Sequence, residues 1–231
     1  MNFNAMLAIL IFIMAYALII SEKVNRVAVS LTGAALMVVL KLITQENAIT
    51  KIDFNTIGLL IGMMVIVNIT KRTGIFEYMA IKVAKFSKGN PMKILIMFST
   101  LTAVLSGLLD NVTTVLLIVP VTLVVTKTLE VNPIPFLLCE ILASNIGGTA
   151  TLIGDPPNIM IGSAGNLGFM DFIKNVFPIA AVIYIVTILL IKYKYKSYMK
   201  TTEEDKEKIM HLNEQKAIRD KKLLRKSLSV I

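Results

Sequence analysis

The sequence predicts an all-α polytopic membrane protein in which one apolar segment folds as a hairpin and one helix is broken. Three observations lead there. Of 231 residues, 55% are hydrophobic and the mean hydropathy is +0.74, too apolar for an ordinary soluble domain. The apolar residues fall in runs near the length needed to cross a bilayer, divided by short polar turns. Two runs are interrupted by polar residues, glycines and prolines that a lipid-facing helix avoids.

Phe3 to Ile20 carries no charge and is about 18 residues long, enough for one span. It lacks a positive leader and a small-residue cleavage site, so a retained helix is expected rather than a signal peptide. After the polar turn Glu22–Arg26, a second span is expected over 27–43, with Lys41 snorkelling near its end. Thr44 to Asp53 reads as a polar loop. A third span is expected over 54–70, where Gly58 and Gly62 have the four-residue spacing that permits close helix contact. Residues 75–88 alternate Ile75, Phe76, Met79, Val83 and Phe86 with Glu77, Lys82, Lys85 and Lys88, the pattern of an amphipathic helix lying in the membrane interface.

Residues 91–127 form two apolar arms around Asp110-Asn111-Val112-Thr113-Thr114. The arms read either as two full spans or as a re-entrant hairpin. A broken helix is expected over 134–164. Gly147, Gly148 and Gly154 loosen it, and Pro156 and Pro157 each remove an amide donor. A last span over 172–191 runs into Lys192, Lys194, Lys196 and Lys200, with Tyr193, Tyr195 and Tyr198 at the expected headgroup level. Residues 201–226 mix acids and bases and read as a cytoplasmic linker. Residues 227–231 look like the start of another span.

The net charge of +9 resides in the loops and the tail. It therefore predicts membrane orientation rather than a nucleic-acid partner: amino terminus outside, carboxyl tail cytoplasmic. Cys139 and His211 are single, so neither an internal disulfide nor a cysteine or histidine metal cluster is expected. No hydrolytic triad or phosphate loop is visible, and neither enzymatic activity nor a cofactor is predicted.

Three acids fall inside apolar stretches, namely Asp110, Glu140 and Asp155, and no lysine or arginine lies near a span centre. Ionisable groups at that depth are paired, protonated or facing a polar path. Asp110 and Asp155 sit at the interruptions, among hydroxyls and glycine carbonyls of the kind that hard cations prefer. Helix amino termini freed at the same places would favour an anion. The candidate binding residues are Asp110, Asn111, Thr113, Asn145, Gly147, Gly148, Thr149, Thr151, Asp155 and Asn158, with Glu140 a candidate proton relay. The plainer readings stand beside these: Asp110-Asn111 as a helix cap, and Asp155-Pro156 as a turn. Sodium or a proton is the expected coupling ion.

Leu109-Asp110-Asn111-Val112-Thr113-Thr114 and the run from Ala143 to Asn158 resemble the two signature segments of the ion transporter superfamily. The nearest branch is that of the arsenite permeases and the melanosomal P protein, related to sodium/proton antiporters and citrate-transporter-like proteins. The resemblance implies an elevator transporter of two inverted repeats, each with a re-entrant hairpin and a broken helix, of which this chain would be one half. In the dicarboxylate branch the hairpin tip carries Ser-Asn-Thr; here it reads Asp110-Asn111-Val112-Thr113, which points away from dicarboxylates. The expectation is therefore a secondary transporter of a small inorganic ion, first an arsenite-type anion permease, and second a sodium/proton antiporter. A third reading is a half-transporter inactive without its other half, so that a second half-protein or a homodimer is the expected partner.

Overall fold

The computed structural model describes residues 3–196 and 199–228. Tyr198 and residues 229–231, expected at the headgroup level and in a further span, lie outside the described residues. All regular structure among the described residues is helical. The chain divides into two compact units, residues 1–54 and 55–231.

In the first unit, α1 (Phe3–Ile20) packs against α2 (Arg26–Val39). Gly33 lets the two come close, since a Cβ there would lie 3.6 Å from that of Ala15. Asn25 caps α2 by accepting from the amides of Val27 and Ala28 at 2.9 and 3.3 Å. The second expected span is shorter than its apolar run. Lys41 takes a positive φ of 56°, and the amides of Leu42 and Ile43 turn back onto the Met37 carbonyl. These bonds end the helix after 14 residues, about 21 Å, short of the ~30 Å hydrocarbon core. The polar loop that follows holds one short helix, α3 (Gln45–Thr50).

The second unit opens with α4 (Phe54–Arg72). Among the described residues the close contact expected at Gly58 and Gly62 is absent: none of their atoms lies within 4 Å of a Cβ built on either. α5 (Ile75–Phe86) buries Phe76, Ala80 and Ala84. α6 (Pro91–Ser106) and α7 (Asn111–Thr128) are the two arms of the hairpin. Asn90 caps the first through the Lys93 amide and Asp110 caps the second through the Thr113 amide. α8 (Ile134–Thr149) and α9 (Pro156–Gly165) are the halves of the broken helix. The span expected over 172–191 is divided as well. α10 (Phe169–Asn175) ends before Pro178, whose missing amide cannot continue the helix, and α11 (Phe177–Tyr195) starts anew. α1, α4, α7 and α11 are long and apolar enough to cross a membrane.

α8 is the central element, flanked by α6, α7 and α11. Its buried face carries Phe136, Cys139, Glu140, Ala143, Ser144 and Gly147, facing Phe98 and Thr102 of α6 and Ile118 and Thr122 of α7, all buried. The charged segment after α11 folds back onto this unit. α12 (Glu203–Met210) sinks Ile209 into the core, and a 3-10 turn (Glu214–Ala217) follows. Lys85 of α5 pairs with Glu214 at 2.7 Å and donates to the Leu212 carbonyl at 3.2 Å. Arg219 pairs with Glu77 at 3.0 Å, and its amide bonds the Thr73 carbonyl. α13 (Lys221–Leu228) follows.

A candidate ion site at two apposed helix interruptions

The two interruptions lie against each other. The first is the turn Gly107–Asp110 between α6 and α7. The second is Ala150–Asp155 between α8 and α9. Ser106 at the end of α6 donates its hydroxyl to the Ser144 carbonyl at 2.6 Å, and the Thr151 hydroxyl donates to the Gly107 carbonyl. Thr151 in turn accepts from the Gly154 amide at 3.1 Å. One threonine thus ties the second loop to the first.

Glycine is required where these backbones meet. A Cβ on Gly147 would lie 2.1 Å from the Ala103 carbonyl oxygen. On Gly154 it would lie 2.6 Å from the Gly148 oxygen and 2.7 Å from that of Ser106. Any larger residue would push α8 off α6 and separate the two breaks.

The carbonyls freed by the α8–α9 break are gathered by one side chain. Asn158 directs its amide nitrogen at the carbonyls of Gly148, Thr149 and Thr151, at 3.2, 3.1 and 2.8 Å. The unwound backbone is therefore satisfied by protein. Across the gap, Asn111 donates to the side-chain oxygen of Asn145 at 3.0 Å, and Asn145 donates to the Ile141 carbonyl at 2.8 Å. The Thr149 hydroxyl is turned onto the Asn145 carbonyl at 2.8 Å.

The carboxylates occupy the two helix starts. Asp110 accepts the Thr113 amide at 2.8 Å, which is a capping bond, and Thr113 enters the site through that amide. Asp155 stands at the same position of α9, yet its side chain makes no capping bond. It is half-buried, at the end of the loop that Thr151 ties to the loop ending in Asp110. Neither acid belongs to an ion pair among the described residues. No lysine or arginine occurs in residues 94–126 or 128–173. Pro156 and Pro157 leave α9 without its first two amide donors, and Asp110 already occupies one at α7. The place is rich in oxygen acceptors and poor in donors.

All ten candidate residues fall on these two interruptions or the turns beside them. Glu140 does not: it is buried nearly three helical turns before the second break on α8, beside Thr122. Ser106, Gly107 and Thr122 were not among the candidates. Ser106 and Gly107 adjoin the first break in the sequence, which was the available signal. Nothing in the sequence indicated Thr122.

The citrate transporter family profile matches residues 16–231. The chain is 46% identical over 224 residues to a 46 kDa membrane protein of Mycobacterium leprae, covering 95% of this chain and 52% of that one. It is 46% identical over 232 residues to an uncharacterized transporter of Mycobacterium tuberculosis, covering 98% and 54%. It is 39% identical over 202 residues to the human P protein, covering 82% and 24%. The chain spans about half the length of the mycobacterial relatives it matches. With a profile match over nearly its whole length and relatives that include the P protein, this chain belongs to the citrate transporter family, within the ion transporter superfamily.

Proposed function

We propose that the chain forms one wall of a secondary transporter for a small ion, with Asp110 and Asp155 holding the cation that drives or is moved by the cycle. The carrying observation is the pair of carboxylates at adjoining breaks, with no basic residue in the surrounding sequence. Two nearby like charges in a site of low dielectric repel unless a cation or a proton joins them. Sodium or a proton meets that need. Sodium/proton exchange is therefore the reading the geometry favours. An arsenite-type anion permease is the second reading. It has in its favour the helix starts of α7 and α9 facing one place, and against it the proline and capped amides there.

Proteoliposomes containing a pH-sensitive dye separate the two. Sodium added outside should alkalinise the lumen with no anion required, if the first reading is right. A flux that appears only when arsenite is supplied would replace it with the second. No flux of either kind from well-inserted protein, alone or co-reconstituted with a matching second half, would overturn both.

The site is one wall because family relatives are about twice as long. A second half-protein or a second copy of this chain would supply the opposite wall. In the same reading α6 and α7 form a re-entrant hairpin, the amino terminus is outside and the tail is cytoplasmic. Single cysteines introduced at Ser21 and at Thr202 in a Cys139→Ser background test the orientation. An impermeant maleimide applied to whole cells should spare both positions, since basic turns place each on the inner side, and should label a cysteine at Asn47.

A further inference from the structure

Glu140 is the most deeply buried acid in the protein, with no exposed surface, and the ion site at the two breaks does not use it. Its Oε1 lies 2.5 Å from the Thr122 hydroxyl on α7, and its Oε2 has no hydrogen-bond partner. The groups around it are neutral. α6 presents the hydroxyls of Ser99, Thr102 and Ser106 on its buried face, and its one charged residue, Lys93, is exposed in the first turn. α7 presents Thr122 and Thr126; its Lys127 is exposed, and Asp110 lies at the far end. On α8 itself the only other titratable group is the Cys139 thiol. α11 offers the Tyr184 phenol, bonded to Thr100 at 2.8 Å, and its lysines cluster in the last turn.

The hydrogen-bond pattern distinguishes the two protonation states. The Thr122 oxygen also lies 3.3 Å from the Ile118 carbonyl, one turn back on α7. If Glu140 carries a proton on Oε1, it donates to Thr122, whose own hydroxyl hydrogen goes to Ile118. Every hydrogen then has an acceptor. If Glu140 is ionised, the Thr122 hydrogen must turn to Oε1, and Oε2 is left as a buried anionic oxygen with no donor. An uncompensated charge in such a place is among the costliest arrangements in a protein.

We propose that Glu140 is a proton-binding site, holding its proton while α8 is seated on α7 and releasing it when α8 moves. The position supports this. Glu140 is one turn before Ser144, whose carbonyl is bonded to Ser106 beside the first break, and two turns before Gly147, seated on Ala103. Those two contacts are to α6; a displacement of the broken helix that also draws α8 off α7 separates Glu140 from Thr122. This inference rests on the transport reading for its purpose, though not for its chemistry.

Infrared spectroscopy of the full chain in lipid tests the chemistry directly. At neutral pH a carboxylic-acid carbonyl band should be present, should be lost in Glu140→Gln, and should shift in frequency in Thr122→Val, which removes its partner. Identical wild-type and Glu140→Gln spectra in that region would overturn the proposal whatever the fluxes do. The second measurement is dye-reported proton movement in proteoliposomes. Glu140→Gln, which keeps the shape and the donor of the neutral acid, should insert normally and lose proton movement. A Glu140→Gln protein that still moves protons at the wild-type rate would overturn the release step. A wild-type protein with the band but no flux of any kind, alone or with a matching second half, would sink the transport reading and leave the proton site standing.

Discussion

Asp110 shows why a capping role and an ion-binding role have to be separated by substitution rather than by inspection. Its carboxylate accepts the Thr113 amide, so the plain reading of the sequence is satisfied by the geometry. Yet the adjoining break carries a second carboxylate, Asp155, which caps nothing. Asparagine caps as well as aspartate, whereas alanine costs about 1 kcal/mol. Asp110→Asn should therefore keep the thermal midpoint of the purified protein and lose its dependence on sodium. Asp110→Ala should lose both. If Asp110→Asn keeps the sodium dependence, the residue is a cap alone. Gly147 offers a second contrast. A Cβ there meets backbone, which cannot swing aside, so Gly147→Ala should cost roughly 1–3 kcal/mol of stability in detergent unfolding. Gly62→Ala, with nothing within 4 Å, should cost none in the isolated chain. Both glycines sit on apolar helices in the sequence, and only the structure tells them apart.

At the scale of elements, the two interruptions were legible because their residues contradict their surroundings. A Gly-Gly pair, two consecutive prolines and buried acids make little sense in lipid-facing helix. The extent of the helical halves was less legible. α8 continues through Thr149 because its loosening glycines pack on α6 rather than unwinding the backbone. The charged tail reads in the sequence as a cytoplasmic linker; in the structure it carries α12, Ile209 is buried and four polar residues tie the segment to α5 and its flanks. Glu214 is held below the ordinary carboxyl value of 4.5 by its hydrogen bond to Lys85. Its contribution is thus complete above pH 4.5 and is lost as pH falls through the lower folded value. Amide protection over residues 201–220, measured against the intrinsic exchange rate at each pH, should fall in that acid window. Lys85→Met should show fast exchange there already at neutral pH. Equal protection in the variant and the wild type would mean that apolar contacts alone hold the tail.

The whole molecule is two units with one candidate site, and that site lies entirely in the second. The exposed apolar faces of α1, α4 and α11 are what helices in lipid present, and so carry no information about a partner by themselves. The proposal that the site is one wall can be tested. If a second copy supplies the missing wall, sodium-driven flux per protein should fall as proteoliposomes are diluted with lipid, because pairs dissociate. If one chain suffices, flux per protein should not change with dilution. A rise in flux on co-reconstituting a matching second half would identify a split transporter.

Composition and the spacing of apolar runs determined that this is a helical membrane protein, because the cost of burying polar backbone in lipid leaves few alternatives. The placing of glycines, prolines and acids determined where its helices break. Only the tertiary structure decided what meets at those breaks. Hydrogen bonds from Asn158 and Thr151, and the close approach at Gly147, depend on residues up to 44 positions apart. The isolation of Glu140 likewise depends on Thr122, a neighbour across a helix interface that no local pattern announces.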